Sequence, residues 1–132
     1  MKTTIKFFST TLLLMLGSLA FGQSQTMDNV RVAIKSGNSS TLASYFSSSV
    51  DVKTVSDEGV YSSSQAALIL QKFFSSHPAD SFKYDHNGST SSNSMVYSIG
   101  TYSSGSSSYR VFISYSEVGG KYLIDKIHFD LE

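Results

Sequence analysis

Gly59-Val-Tyr-Ser-Ser-Ser-Gln-Ala-Ala-Leu-Ile-Leu-Gln-Lys-Phe-Phe-Ser-Ser-His-Pro78 is the stretch whose reading decides the fold. Ala66, Ile69, Leu70, Phe73 and Phe74 recur at i, i+3, i+4, i+7 and i+8, one broad apolar stripe of a helix. Ser62 is placed to be the N-cap and Gln65 the N3 residue of a capping box, with Tyr61 folding over Ala66 as a hydrophobic staple. Pro78 holds His77 in extended geometry and stops the helix there. Two adjacent phenylalanines on the last turn require a large apolar partner, which only strands further along the chain supply.

Upstream, Val30, Ala33 and Ile34 predict a short amphipathic helix over Met27–Ser36, stopped by Gly37-Asn38. Asn38 or Ser39 then caps a second helix, Ser40–Phe46, completing a helical hairpin. Val50–Val55 alternates apolar and polar residues as a half-buried strand, and Asp57-Glu58-Gly59 turns the chain into the long helix. Downstream, Ser81–His86 alternates again, with Phe82 and Tyr84 on one face, and a polar loop follows from Asn87-Gly88. Met95–Tyr102 is expected to direct Tyr97 and Ile99 inward. Ser103–Ser108 is a hairpin loop, Tyr109–Tyr115 directs Tyr109, Val111, Ile113 and Tyr115 to one face, and Gly119-Gly120 is a second hairpin turn. In Lys121–Leu131, Leu123, Ile127, Phe129 and Leu131 alternate with Tyr122, Ile124, Lys126 and His128. Helices gathered on one face of an antiparallel meander make an α+β domain. Its expected core unites Phe46, Phe73, Phe74, Ile99, Val111, Ile113 and Ile127.

The first residues have their own logic. Met-Lys-Thr-Thr-Ile-Lys is followed by an uncharged run from Phe7 to Phe21 and the small-residue pattern Ala20-Phe21-Gly22. A basic start, an apolar run too short to span a bilayer and small residues at its end describe a secretory signal peptide, residues 1–22. No cysteine follows the run to carry a lipid, so the expectation is a periplasmic or secreted protein, not a lipoprotein, with no membrane span in its mature form. Residues 23–132 remain as one domain without cysteine, held by its apolar core rather than by disulfides. Lys2 and Lys6 leave with the signal, so eight basic residues face ten acidic ones, a net charge of −2. That balance gives no electrostatic footprint for nucleic acid.

A helical hairpin, a strand, a third helix and a meander resemble the layout of the nuclear-transport-factor-2-like (cystatin-like) superfamily, whose curved antiparallel sheet wraps its helices into a cone. Several pieces resemble, more closely, small exported Bacteroidetes proteins of unknown function, the DUF4783 type. They are Ala33–Asn38 with Leu42–Phe46, Glu58–Ser62, Gln65-Ala66 through Phe73-Phe74, Ile99-Gly100-Thr101, Tyr109-Arg110-Val111 and Gly119–Ile124. The resemblance covers nearly the whole mature chain, implies a fold and an address, and supplies no catalytic residue.

Chemistry in the sequence is sparse. His77, His86 and His128 sit on three elements without metal-ligand spacing, and no serine lies in a nucleophile elbow. No cofactor motif and no catalytic residue is identified. Enzymes on the cone fold set a carboxylate and a tyrosine in an apolar cavity, where desolvation raises the carboxylate pKa. The resemblance therefore implies Tyr45, Tyr84, Tyr97 and Asp125 as cavity residues for a small apolar ligand, and, as an alternative, an isomerase- or dehydratase-like reaction using Asp125 or Asp51 with a tyrosine. On the opposite face, Tyr102, Arg110, Phe112, Tyr122 and Ile124 form an aromatic patch of the types that interfaces favour. Proteins resembling this cone often dimerise through that face. The expectation is a binding module, with a small ligand in the cone or with an envelope protein or second copy on the sheet.

Overall fold

The computed structural model describes residues 22–90 and 95–132. The expected signal peptide, apart from Gly22, lies outside them. Helix α1 spans 22–36 and buries Met27, Val30, Ala33 and Ile34. It ends in a Schellman motif: the Asn38 N–H donates to the Ala33 carbonyl (2.9 Å) and the Gly37 N–H to that of Ile34 (3.1 Å). Gly37 takes the left-handed φ of 68° this requires. Helix α2 is short, Ser39–Ala43, and the Asn38 side chain accepts from its Thr41 N–H at 3.0 Å. The helix expected to reach Phe46 stops earlier because the Tyr45 carbonyl is taken by the Ile124 N–H (2.7 Å), which draws the chain into the sheet.

Strand β1 (Phe46–Lys53) pairs with β2 (Glu58–Ser62), and β2 leads directly into α3 (Ser63–Ser76). The α3 boundaries follow the expected caps: Ser62 Oγ accepts from the Gln65 N–H at 3.3 Å, and His77 closes the helix before Pro78. Then come β3 (Ser81–Ser89), β4 (Met95–Ser104), β5 (Ser107–Val118) and β6 (Lys121–Leu131). The β4–β5 hairpin is tighter than the expected Ser103–Ser108 loop, since Ser104 already pairs with Ser107, and the β5–β6 hairpin turns at Gly119-Gly120 as expected. Gly119 and Gly120, at φ 58° and 81°, make a two-residue turn of the kind that matches strand twist.

The sheet order is β2-β1-β6-β5-β4-β3, with β1 parallel to β6 and every other neighbouring pair antiparallel. The sheet is therefore mixed and open, not purely antiparallel, and β2 is a strand where a turn was expected. The inward positions of β2 are Gly59, which carries no side chain, and Tyr61, so the alternation leaves little apolar signal in the sequence. Two bulges bend the antiparallel ladders, and the parallel β1–β6 pair shifts register between Phe46 and Asp51. Asp85 is the extra residue of β3 between Tyr84 and His86, and Asp125 the extra residue of β6 between Ile124 and Lys126. Gly100 lies opposite the first bulge, where a Cβ would stand 2.6 Å from the Lys83 carbonyl and 2.8 Å from the Phe82 ring. Bulge and glycine together allow the curvature that wraps α3.

The core lies between the concave inner face and the helices. Phe73 is at its centre, with ring centroids 4.6 Å from Phe129, 5.3 Å from Tyr109 and 5.6 Å from Tyr102. Phe46, Phe74, Val111, Ile113 and Ile127 are buried as expected. Ile99 is not. It lies on the outer face, and Tyr102, fully buried, takes the inner place on β4. The physical reason is register: Tyr102 stands opposite Tyr109, and residues directly opposite share a face.

Candidate functional site

Bulge and register redistribute the residues picked out in the sequence between two faces. On the inner face are Tyr84, Tyr102, Tyr122 and Ile124. Tyr102 and Ile124 are fully buried and Tyr122 packs on the core, so these three, expected outside, do not form an outer patch. The Asp125 bulge explains Ile124: it lets Ile124 and Ile127, three residues apart, both point inward. Tyr45 also packs against the core. It faces Tyr122 across a groove of about 360 Å³ between the start of α1 and the β5–β6 hairpin. Tyr97 and Asp125, expected in the cavity, lie on the outer face.

The interior is filled by aromatic side chains. The Tyr102 hydroxyl donates to the His77 carbonyl and ties the end of α3 to β4. The Tyr84 hydroxyl donates to the Met27 carbonyl (2.6 Å) and ties β3 to α1. Burial pushes both phenols up to about 12. Among the described residues the buried polar side chains are Thr54, Ser98 and Ser114, and no carboxylate is buried. Asp51 and Asp125 both lie on the outer face, bonded there to His128 and to the Ser114 and Ser116 hydroxyls.

The outer face is built from the alternate residues of the same strands. Its middle is apolar: Ile99 stands opposite Phe112 and His86, and Tyr97 opposite Ser114 and Gly88. The Tyr97 and Phe112 rings stack at 6.0 Å and 22°, and His86 adjoins Tyr97 at 5.8 Å. Tyr97 lies so close over Gly88 that a Cβ there would meet its hydroxyl at 2.4 Å. Phe112 and Arg110 are the two residues of the expected patch that do lie on this face. Sequence periodicity missed Tyr97, Ile99 and His86, although the near-symmetric Ser/Gly hairpin, which sets Tyr102 opposite Tyr109, was the signal that could have found them.

Around this apolar middle the polar groups are paired with one another. Asp51 lies 2.9 Å from His128 Nε2 and 3.9 Å from Lys126 Nζ. Lys53 meets Asp130 at 2.6 Å, an exposed pair whose hydrogen bond and charge raise the lysine pKa. Ser114 and Ser116 hydroxyls donate to the two oxygens of Asp125, and the Thr101 hydroxyl donates to Asp85 at 2.6 Å. Each bulge thus projects an acid outward, and neighbouring hydroxyls satisfy it. His128, without metal-ligand spacing in the sequence, is a partner of Asp51.

Residues 27–130 match the model of a family described as a domain of unknown function, DUF4783. The structure is similar to that of a DUF4783 family protein from Bacteroides uniformis, at 28% identity and a TM-score of 0.73, over 80% of this chain and 95% of that one. It is similar to another from Bacteroides fragilis, at 29% identity and 0.72, over 79% of this chain and 96% of that one. A nuclear-transport-factor-2-like protein of unknown function from Shewanella baltica shares the fold at 13% identity and 0.61, over 86% of this chain and 93% of that one. No curated protein matches.

Proposed function

This chain belongs to the DUF4783 family, and from that premise we propose that it is an exported, non-enzymatic binding module whose outer sheet face docks a second copy of itself. The observation that carries this reading is the stacked Tyr97–Phe112 pair with Ile99, half-buried in the middle of the face and framed by charges already paired in cis. Covering such a face strands few charges: Asp51, Lys53, Lys126, His128 and Asp130 keep their partners, Asp85 and Asp125 keep their hydroxyls, and Arg110, exposed and without an ion pair among the described residues, is the charge the contact has to match. The occupant therefore has to bring an apolar, internally neutralised surface of its own. A second copy of the same face does so, through a two-fold, isologous contact. The filled interior favours this docking role over a ligand in the cone.

Export follows from residues 1–22 read as a signal peptide. One feature supports that reading: the family match begins at residue 27, after the expected cleavage point. Sedimentation of residues 23–132 at tens of micromolar tests the docking role. A dimer is expected, and Phe112→Glu should return it to monomer by burying an unpaired charge at the contact. A wild-type monomer at that concentration, or a dimer indifferent to Phe112→Glu, would sink the proposal.

A further inference from the structure

Most charges on the outer face are answered within the chain, but two are not fully so. Arg110 is exposed and takes part in no ion pair or side-chain hydrogen bond among the described residues. Asp85, equally exposed at the β3 bulge, accepts from the Thr101 hydroxyl with one oxygen (2.6 Å), and its other oxygen accepts from no group among the described residues. Asp125, at the β6 bulge, differs, because Ser114 and Ser116 occupy both its oxygens. In register, Arg110 stands opposite Thr101 and Thr101 opposite Lys83, so β4 lies between Arg110 and the Asp85 bulge. Covering Arg110 without an acid costs the desolvation of a bare charge, and a carboxylate oxygen is the acceptor a guanidinium fits.

The apolar middle says which contact joins the two. His86 lies on β3, Tyr97 and Ile99 on β4 and Phe112 on β5, so this middle is centred on β4. A two-fold axis parallel to β4 lays the middle on itself, keeps the two sheets aligned, and sets β5 of one copy over β3 of the other. Resting on the docking of a second copy, we infer that Arg110 of each copy pairs with Asp85 of the other, two symmetric charge contacts that flank the Tyr97–Ile99 row. Asp85 keeps its Thr101 bond and offers Arg110 its second oxygen. Lys83 comes near the same place, but it is exposed on an edge strand and has solvent to turn into. An axis across the strands would instead bring Arg110 toward Ser114 and Asp125, where both carboxylate oxygens are taken. The pairing therefore fixes the direction in which the copies meet, which is what charges at an interface do best.

Charge reversal with mixing tests it, by sedimentation of residues 23–132 at tens of micromolar. Arg110→Glu and Asp85→Arg should each weaken the dimer at least about tenfold in Kd, since each sets like charges together at both contacts. Mixed in equal amounts, the two variants should recover the dimer, because every contact then joins one acid and one base again. Asp85→Asn, which keeps the shape of the bulge, should weaken the dimer in the same sense with an unchanged Tm, so a fold defect cannot stand in for the lost charge. Asp125→Asn should leave the dimer as it is. Loss in each reversal with recovery on mixing supports the pairing. A wild-type dimer that Phe112→Glu breaks but the reversals leave intact, or that they break without recovery on mixing, overturns the pairing and leaves the docking face standing. A dimer weakened by Asp125→Asn and not by Asp85→Asn does the same. A wild-type monomer overturns both.

Discussion

The inner and outer faces of this sheet are made by the same four strands, β3 to β6, residue by alternate residue, and they solve opposite problems. Inside, Phe73, Tyr102, Tyr109 and Phe129 close on one another at ring distances of 4.6 to 6.2 Å, and tyrosine hydroxyls reach out to helix carbonyls. Outside, charges neutralise one another across strands, and two bulge aspartates are satisfied by serine and threonine hydroxyls. The inner face carries the stability of the fold because its atoms lose water entirely. The outer face contributes little to stability, since half-exposed ion pairs are screened, and its pattern is therefore free to serve recognition.

That contrast breaks most easily at Phe73. Phe73→Ala should cost about 3–5 kcal/mol, as expected for a buried aromatic whose cavity cannot collapse. A urea denaturation midpoint close to wild type would show that the aromatic cluster does not carry the fold. Next come the two glycines crowded by a neighbour, one on each face. Gly100→Ala drives a methyl against the Lys83 carbonyl, a backbone atom that cannot swing away, and should cost on the order of 1–3 kcal/mol. Gly88→Ala meets the outer end of the Tyr97 side chain, its hydroxyl at 2.4 Å and ring carbons at 2.5 and 2.9 Å, which can shift where a backbone carbonyl cannot, and should cost less. Equal losses in thermal melts would erase the distinction between a rigid inner face and an adaptable outer one.

A smaller effect separates the faces by pH. Tyr84 and Tyr102 titrate at about 12 when folded, against an ordinary 10, because burial disfavours the phenolate. Below about pH 10 both states keep these protons, so the stability is fully present. Above it the unfolded chain ionises first, and stability is lost as pH rises toward about 12. Denaturation midpoints should fall across that window, less steeply in Tyr102→Phe; a flat profile would contradict the buried placement of these hydroxyls. The smallest effect on stability is expected for Phe112→Glu, within roughly 0.5 kcal/mol for a half-exposed position. Its sedimentation behaviour should nevertheless change, and a large loss of stability instead would mean that Phe112 serves the fold rather than a partner.

Much of this was legible along the chain. Helix α3, with its Ser62 cap and its Pro78 stop, the Gly37 end of α1, the Gly119-Gly120 turn and the buried stripe Tyr109–Val111–Ile113–Tyr115 all follow from residues a few positions apart. The site was less legible. Tyr97 and Asp125 moved outward and Tyr102 and Ile124 inward, because β4 carries apolar residues in both alternations and β6 changes phase at Asp125.

The sequence by itself determined the local parts, since caps, turns and stripes are settled by bonds between near neighbours and by a single periodicity. Only the tertiary structure decided that β1 runs parallel beside β6, that two bulges reverse the phase of β3 and β6, and hence which tyrosines meet water. A strand's two faces are equivalent until a ladder to a distant partner fixes its register. One extra residue in that ladder then exchanges the faces of everything beyond it.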